Sequence, residues 1–241
     1  MPDLTGTSDQ RDLPRWFWLW VPLVFLIIIY VGRGCCGWEF YKHWVMSEHG
    51  FVELMTPIML IPGIISGMRA WKLRRRLPRR WLGVWVLLAT LGAFYFAGEE
   101  VDWGQQIFEW PTPKFFQEYN KQDETNLHNM SSWFNQKPRL ALSIWVLIGG
   151  IILPLRRRST GRRWTRDDWR YWFWPASFCL PVGTLSILIR MPEHAEKWFH
   201  APALPLAVRY SEVQELYFAY FLTLYLMTTW LRLRDAPEAP P

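Results

Sequence analysis

The chain reads as an all-α, polytopic membrane helix bundle with six transmembrane helices and both termini cytoplasmic. Three observations predict this. Apolar residues gather into six long runs, aromatics make up 17% of the chain with 18 tryptophans, and Lys and Arg fall in short blocks directly beside the runs. Mean hydropathy is only −0.04 because charge is confined to the connections and masks the apolar runs. A net charge of +6 would also suit a nucleic-acid binder. Basic blocks placed against apolar spans instead fit membrane orientation, with anionic lipid headgroups as their neighbours. The expected partners are therefore membrane lipids and not nucleic acid.

Residues 1–15 are polar and read as a cytoplasmic tail. The first run, 16–31, is uncharged and close to the roughly 20 residues needed to cross a bilayer. No small-residue cleavage site precedes or follows it, so it is expected to be retained. The second run, 51–67, contains Glu53 about one turn in, and Pro57 and Pro62, which should kink it. The third and fourth runs are 81–97 and 140–155, separated by a polar extracytoplasmic region, 98–139. The fifth run is 171–189 and the sixth 216–231, which closes a membrane domain over 16–231; residues 232–241 form a second cytoplasmic tail.

The connections after the second and fourth runs carry seven Lys/Arg each, and the tails add Arg11, Arg15, Arg232 and Arg234. The positive-inside rule places these connections and tails in the cytoplasm. The localisation that follows is the cell inner membrane, with the acidic connections facing the periplasm. Cys35 and Cys36 are adjacent and the third cysteine, Cys179, lies in an apolar run, so no structural disulfide is expected.

Residues 98–130 hold seven acidic residues and His128. All five histidines fall on the extracytoplasmic side of this topology. Four of them have a glutamate four residues away: Glu39/His43, His49/Glu53, Glu124/His128 and Glu196/His200. On a helix that spacing means one face. Imidazole and carboxylate so placed can share a metal ion, or the carboxylate can accept the N–H of a ligating histidine. Several helices each supplying such a pair is how bundle metal sites are built. Taken singly, each pair is more often a surface contact worth a few tenths of a kcal/mol. Glu53 is the sharpest residue, because a carboxylate inside an apolar span is costly and points to function.

These patterns lead to an expected site. His49, Glu124, His128, His194 and His200 are the candidate ligands of a divalent metal ion (zinc, iron or manganese). Glu53, Glu99, Glu100 and Glu212 are the candidate catalytic carboxylates. Such a site would activate water or oxygen against a lipid or envelope substrate at headgroup level. Two other classes remain: a cation or proton transporter or channel whose acidic mouth concentrates ions, and a non-enzymatic assembly or lipid-binding protein in which the polar cap stabilises the bundle. Glu99, Asp102 and Gln106 would share a face if the third span continued outward. WPTP at 110–113 should split the polar region in two.

The blocks GEEVDWGQ and ETNLHN, in that order, resemble a pattern of uncharacterised multi-pass bacterial membrane proteins. The resemblance covers about 33 residues and carries no reaction with it. It implies that Glu99, Glu100, Trp103, Gly104, Gln105, Glu124, Asn126 and His128 belong to one motif.

Overall fold

The computed structural model describes residues 13–45, 47, 50–119, 125, 132–200, 202 and 206–236. Among these the chain is all-helical. Five helical segments are long and apolar enough to cross a membrane: α1 (Trp16–Cys35), α2 (Phe51–Lys72), α3 (Arg80–Glu100), α4 (Gln136–Thr160) and α5 (Trp169–Phe199). A sixth long helix, α6 (Tyr210–Arg234), has 25 residues.

The outer faces of these helices are greasy. Leu54, Ile58, Ile61, Ile65 and Met68 of α2 are all exposed, as are Trp81, Val84, Leu88 and Leu91 of α3. The spacing of three and four makes each set one stripe along its helix. A protein in water hides such stripes, whereas a bilayer solvates them.

The interior is organised around α6. Its side chains are buried along almost the whole length, including Tyr217, Tyr220, Tyr225, Thr223 and Thr228. Enclosure by α2, α3 and α5 explains why α6 is the least apolar of the six. Away from lipid it can carry hydroxyls, most of which find a partner, although among the described residues Thr228 Oγ1 has none. Tyr217 donates to Pro22 O at 3.0 Å, Tyr220 to Phe17 O, Thr223 to Met59 O, and Tyr225 to Trp172 O at 2.9 Å. Some of these carbonyls have lost their helical donors. Residues Trp16–Trp20 form a π turn in which Val21 N–H bonds Trp16 O. That register aims Phe17 O at Pro22, which has no N–H.

Small residues let the helices approach closely. Gly63 and Gly67 of α2 sit one turn apart; Gly63 lies against Thr223 of α6 and Gly67 against Thr90 of α3. Gly149 and Gly150, within the π segment Val146–Ile152, admit the rings of Trp174 and Phe221.

The fifth apolar run, expected as one span over 171–189, is broken. A helix at Trp169–Phe173 stops at Trp174, whose ψ of 145° is extended because Pro175 follows. The chain resumes as a helix at Leu180–Leu188 and again at Met191–Phe199.

Charge separates between the two ends. At one end Arg76 donates to the carbonyls of Leu233, Arg234 and Ala236, Arg166 donates to Asp235 O, and Arg69 lies over the Trp230 ring. The Arg234 guanidinium beside Asp235 holds that exposed carboxyl below its ordinary range. The two Arg-rich connections therefore meet at the C-terminus of α6. The carboxylates gather at the opposite end.

Candidate functional site

Five helices build the carboxylate end. Glu53 stands in the first turn of α2, where the positive helix terminus favours a carboxylate. Glu99 and Glu100 end α3. The helix does not continue outward as the shared-face reading of Glu99, Asp102 and Gln106 required. Asp102, Trp103 and Gly104 have φ of 47°, 56° and 102°, a left-handed run that turns the chain back. For the two non-glycine residues this conformation costs roughly 1–3 kcal/mol each and persists only where surrounding contacts hold it. Here the contacts are visible. The Trp103 ring covers Gly98, and Trp103 Nε1 donates to Glu99 Oε1 at 2.6 Å.

The next residue, Gln105, ties the polar region together. Its amide donates to Thr112 Oγ1 at 2.8 Å and Trp110 O at 3.3 Å, and its Oε1 accepts from the backbone N–H of Thr125 at 2.6 Å. Gln105 belongs to the GEEVDWGQ block and Thr125 to ETNLHN, so the two blocks are in contact. The break expected at WPTP is present: short helices at Gln105–Phe108 and Lys114–Tyr119 flank it.

The third contribution is Arg139 near the start of α4, ion-paired with Glu215 of α6. Charges close enough to Glu100 to act on it are Glu212, Glu53, Arg139 and Asp102. Arg139 in turn feels Arg190, Glu212, Glu100 and Glu193. Arg190 itself is held by Glu193 at 2.8 Å and Gln214 at 3.2 Å, and Gln214 donates to Ser186 O at 2.9 Å. Six carboxylates and two arginines, from α2, α3 and the turn after it, α4, α5 and α6, thus gather at a single end of the bundle.

Of the expected catalytic carboxylates, the structure brings Glu53, Glu100 and Glu212 together. Glu99 lies beside them but faces Trp103 and Tyr95. The expected metal ligands fare differently. His194 stacks on Trp198 with ring centroids 4.8 Å apart. His200 has φ of 51° just past its helix, which removes it from the face of Glu196. His49, Glu124 and His128 lie outside the described residues. Among the described residues no three His, Cys, Asp or Glu side chains are grouped closely enough to hold a metal ion.

Sequence reasoning did not single out Arg139, Arg190 or Gln214. One signal existed. Both arginines stand at the outer end of an apolar run, against the charge asymmetry of the rest of the chain, and an arginine there needs carboxylate company.

Below the charged network lies a cavity of about 360 Å³ between α3, α4 and α6. Glu99, Glu100, Arg139 and Glu215 close one end, and Trp85, Ala89, Phe96, Leu142, Trp145 and Leu222 form apolar walls. Its size falls within the range of small-molecule sites.

Comparison with protein-family models, curated proteins and solved structures finds no match.

Proposed function

We propose that this is an integral membrane enzyme of six spans whose carboxylate–arginine network carries out acid–base chemistry on a lipid or envelope substrate. The observation that carries this reading is the place of Glu100 at the head of an apolar cavity, beside Arg139 and with Glu212, Glu53 and Asp102 close enough to act on it. A carboxylate crowded by others and set against apolar walls is the setting in which proton transfer is tuned. One such group would take a proton from water or a substrate hydroxyl, and Arg139 would stabilise the developing negative charge. An ion path is less well supported. The cavity walls beneath the charged end are tryptophan, leucine, phenylalanine and alanine, which solvate a chain and not a cation.

The positive-inside rule sets this end toward the periplasm of an inner-membrane protein. A divalent metal belongs to the same reading if His49, Glu124 and His128 close over the carboxylates. Metal content of the purified protein tests that element. Near-stoichiometric zinc, iron or manganese, lost in both His128→Ala and Glu53→Ala, supports it; a metal-free wild type after loading removes it.

The chemistry is tested in vesicles of total membrane lipid, with products followed by mass spectrometry. Turnover should fall about 100-fold or more in Glu100→Gln and Glu212→Gln, the range general acid–base groups supply. Equal turnover in wild type and both variants would reject the proposal.

A further inference from the structure

We infer that the cavity between α3, α4 and α6 holds one hydrocarbon chain of a lipid, and that Trp85 and Trp145 at its floor set the length of chain it accepts. This deepens the proposed function, on which it rests for the occupant's being the substrate.

The cavity has a roof, walls and a floor. Glu99, Glu100, Arg139 and Glu215 form the roof. On α3 the lining residues include Trp85, Ala89, Gly92, Phe96 and Glu99. Steps of four and three keep these on one helix face over roughly 21 Å of rise. Between roof and floor the walls are Ala89, Gly92, Phe96, Leu142, Phe218 and Leu222, none of which has a hydrogen-bonding side chain. A saturated chain asks for no hydrogen bond, so it can fill this space without leaving a polar group unpaired. At roughly 30 Å³ for a water-sized group, a volume of about 360 Å³ takes on the order of twelve such groups. A methylene is of similar size, so one chain near the length of a dodecanoyl group fits and two do not.

The floor is what makes the length definite. Trp85 is the lining residue of α3 farthest from Glu100, and Trp145 the lining residue of α4 farthest from Arg139. Their ring centroids are 5.8 Å apart. Both are braced from behind by residues outside the cavity lining. Trp85 Nε1 donates to Tyr225 Oη at 2.8 Å, and Tyr225 Oη donates to Trp172 O at 2.9 Å. The Trp85 ring also lies 4.6 Å from that of Phe173. Trp145 meets Tyr225 and Phe221 edge to face, at 5.0 and 5.7 Å. A close-packed aromatic layer yields little, so a chain that reaches it stops there.

Access is sideways. Gly92 of α3 lines the cavity, is exposed, and a Cβ added there would meet nothing within 4 Å. A chain already in the bilayer core can enter at that point while its head stays at the level of the roof.

The test delipidates the full-length protein in a rigid sterol-type detergent, whose fused rings cannot follow a narrow cavity. The protein is reloaded with an equimolar series of lysophosphatidylcholines from octanoyl to octadecanoyl, and separately with diacyl phosphatidylcholines of the same chains. Native mass spectrometry counts what is retained. Wild type should keep roughly one lipid per protein, with retention greatest near dodecanoyl and about tenfold lower at hexadecanoyl, the scale of overpacking. That limit in either series supports the inference, and the series retained names the source as a single-chain or a two-chain lipid. Among the described residues Trp145 Nε1 has no hydrogen-bond partner, so Trp145→Leu opens the floor without breaking a hydrogen bond. It should move the limit to longer chains, with hexadecanoyl retained as well as dodecanoyl. Ala89→Leu raises the floor and should move the limit to shorter chains while its melting temperature holds, which decides the matter even if Trp145→Leu does not fold. Equal retention of all lengths by wild type, or one limit shared by wild type and Ala89→Leu, overturns the inference. A lipid-free wild type, or a dimer whose helix fills the cavity, does the same. Turnover separates the two proposals. A length limit without any product leaves the chain-binding cavity standing and rejects the enzyme, whereas turnover of all chain lengths alike does the reverse.

Discussion

At the scale of single residues, Arg139 is the centre of the polar end. Its side chain is mostly buried, and it offsets carboxylates from three helices at once. Removing one partner of a buried ion pair leaves charge without compensation, a loss of roughly 3–5 kcal/mol. Arg139→Met should therefore lower the melting temperature in detergent sharply. Adding Glu215→Gln should restore part of the loss, because the pair fails together. Simple additivity of the two changes would show that Arg139 and Glu215 are not partners. The chain made some of these residues legible and hid others. Glu53 stands out as a charge in an apolar run, and the GEE turn as an acidic pair at a span end. Arg139 and Arg190 fall among the scattered basic residues of the extracytoplasmic connections, where nothing in the local sequence marks their carboxylate partners. Their partners, Glu215 and Glu193, are 76 and 3 residues away in sequence, so only the fold brings the first pair together.

At the scale of elements, helix spacing is set where glycine replaces a side chain. An added Cβ at Gly63 would lie 2.9 Å from Thr223 Cα, so α2 and α6 would have to separate. Gly63→Ala should destabilise by roughly 1–3 kcal/mol, the usual cost of overpacking. Gly92→Ala faces open space and should be neutral or stabilising by up to about 1 kcal/mol, since alanine is the better helix former. Opposite signs from the same substitution on adjacent helices, read by thermal unfolding, are the expected result. Equal effects would mean that the α2–α6 approach is looser than described. Helix positions were largely legible, because apolar run length tracks spans directly. The break in α5 was not, although Pro175 was visible. Proline alone permits either a kink or a break, and the choice falls to tertiary contacts, here Trp174 settling against Gly149. The i,i+4 His/Glu reading failed at His200 for a local reason: the helix ended one residue too early for the pair to share a face.

At the scale of the whole molecule, the division of charge between two ends carries the membrane reading, and α6 decides the number of crossings. Its hydropathy alone would leave it out. Its contacts run from end to end, with Arg33 donating to Ala207 O just before it and Arg76 capping its last carbonyls. At 1.5 Å per residue a helix of this length reaches roughly 37 Å, more than the hydrocarbon core. Cysteine chemistry tests the resulting topology. Cys35 and Cys36 are exposed at the carboxylate end, and Cys179 is buried. A membrane-impermeant maleimide should modify Cys35 and Cys36 in right-side-out vesicles and spare them in inside-out vesicles, with Cys179 reacting only after unfolding. Ser159→Cys, exposed on the Arg-rich connection, should show the opposite sidedness in a Cys35→Ser/Cys36→Ser background. If Cys35 and Ser159→Cys label from the same side, the number of crossings between them is even. One of α2, α3 and α4 would then fail to cross, and the carboxylate network would lose its single membrane face. If both positions label with sides exchanged, the bundle stands but the site opens to the cytoplasm, and its substrate would have to come from that side.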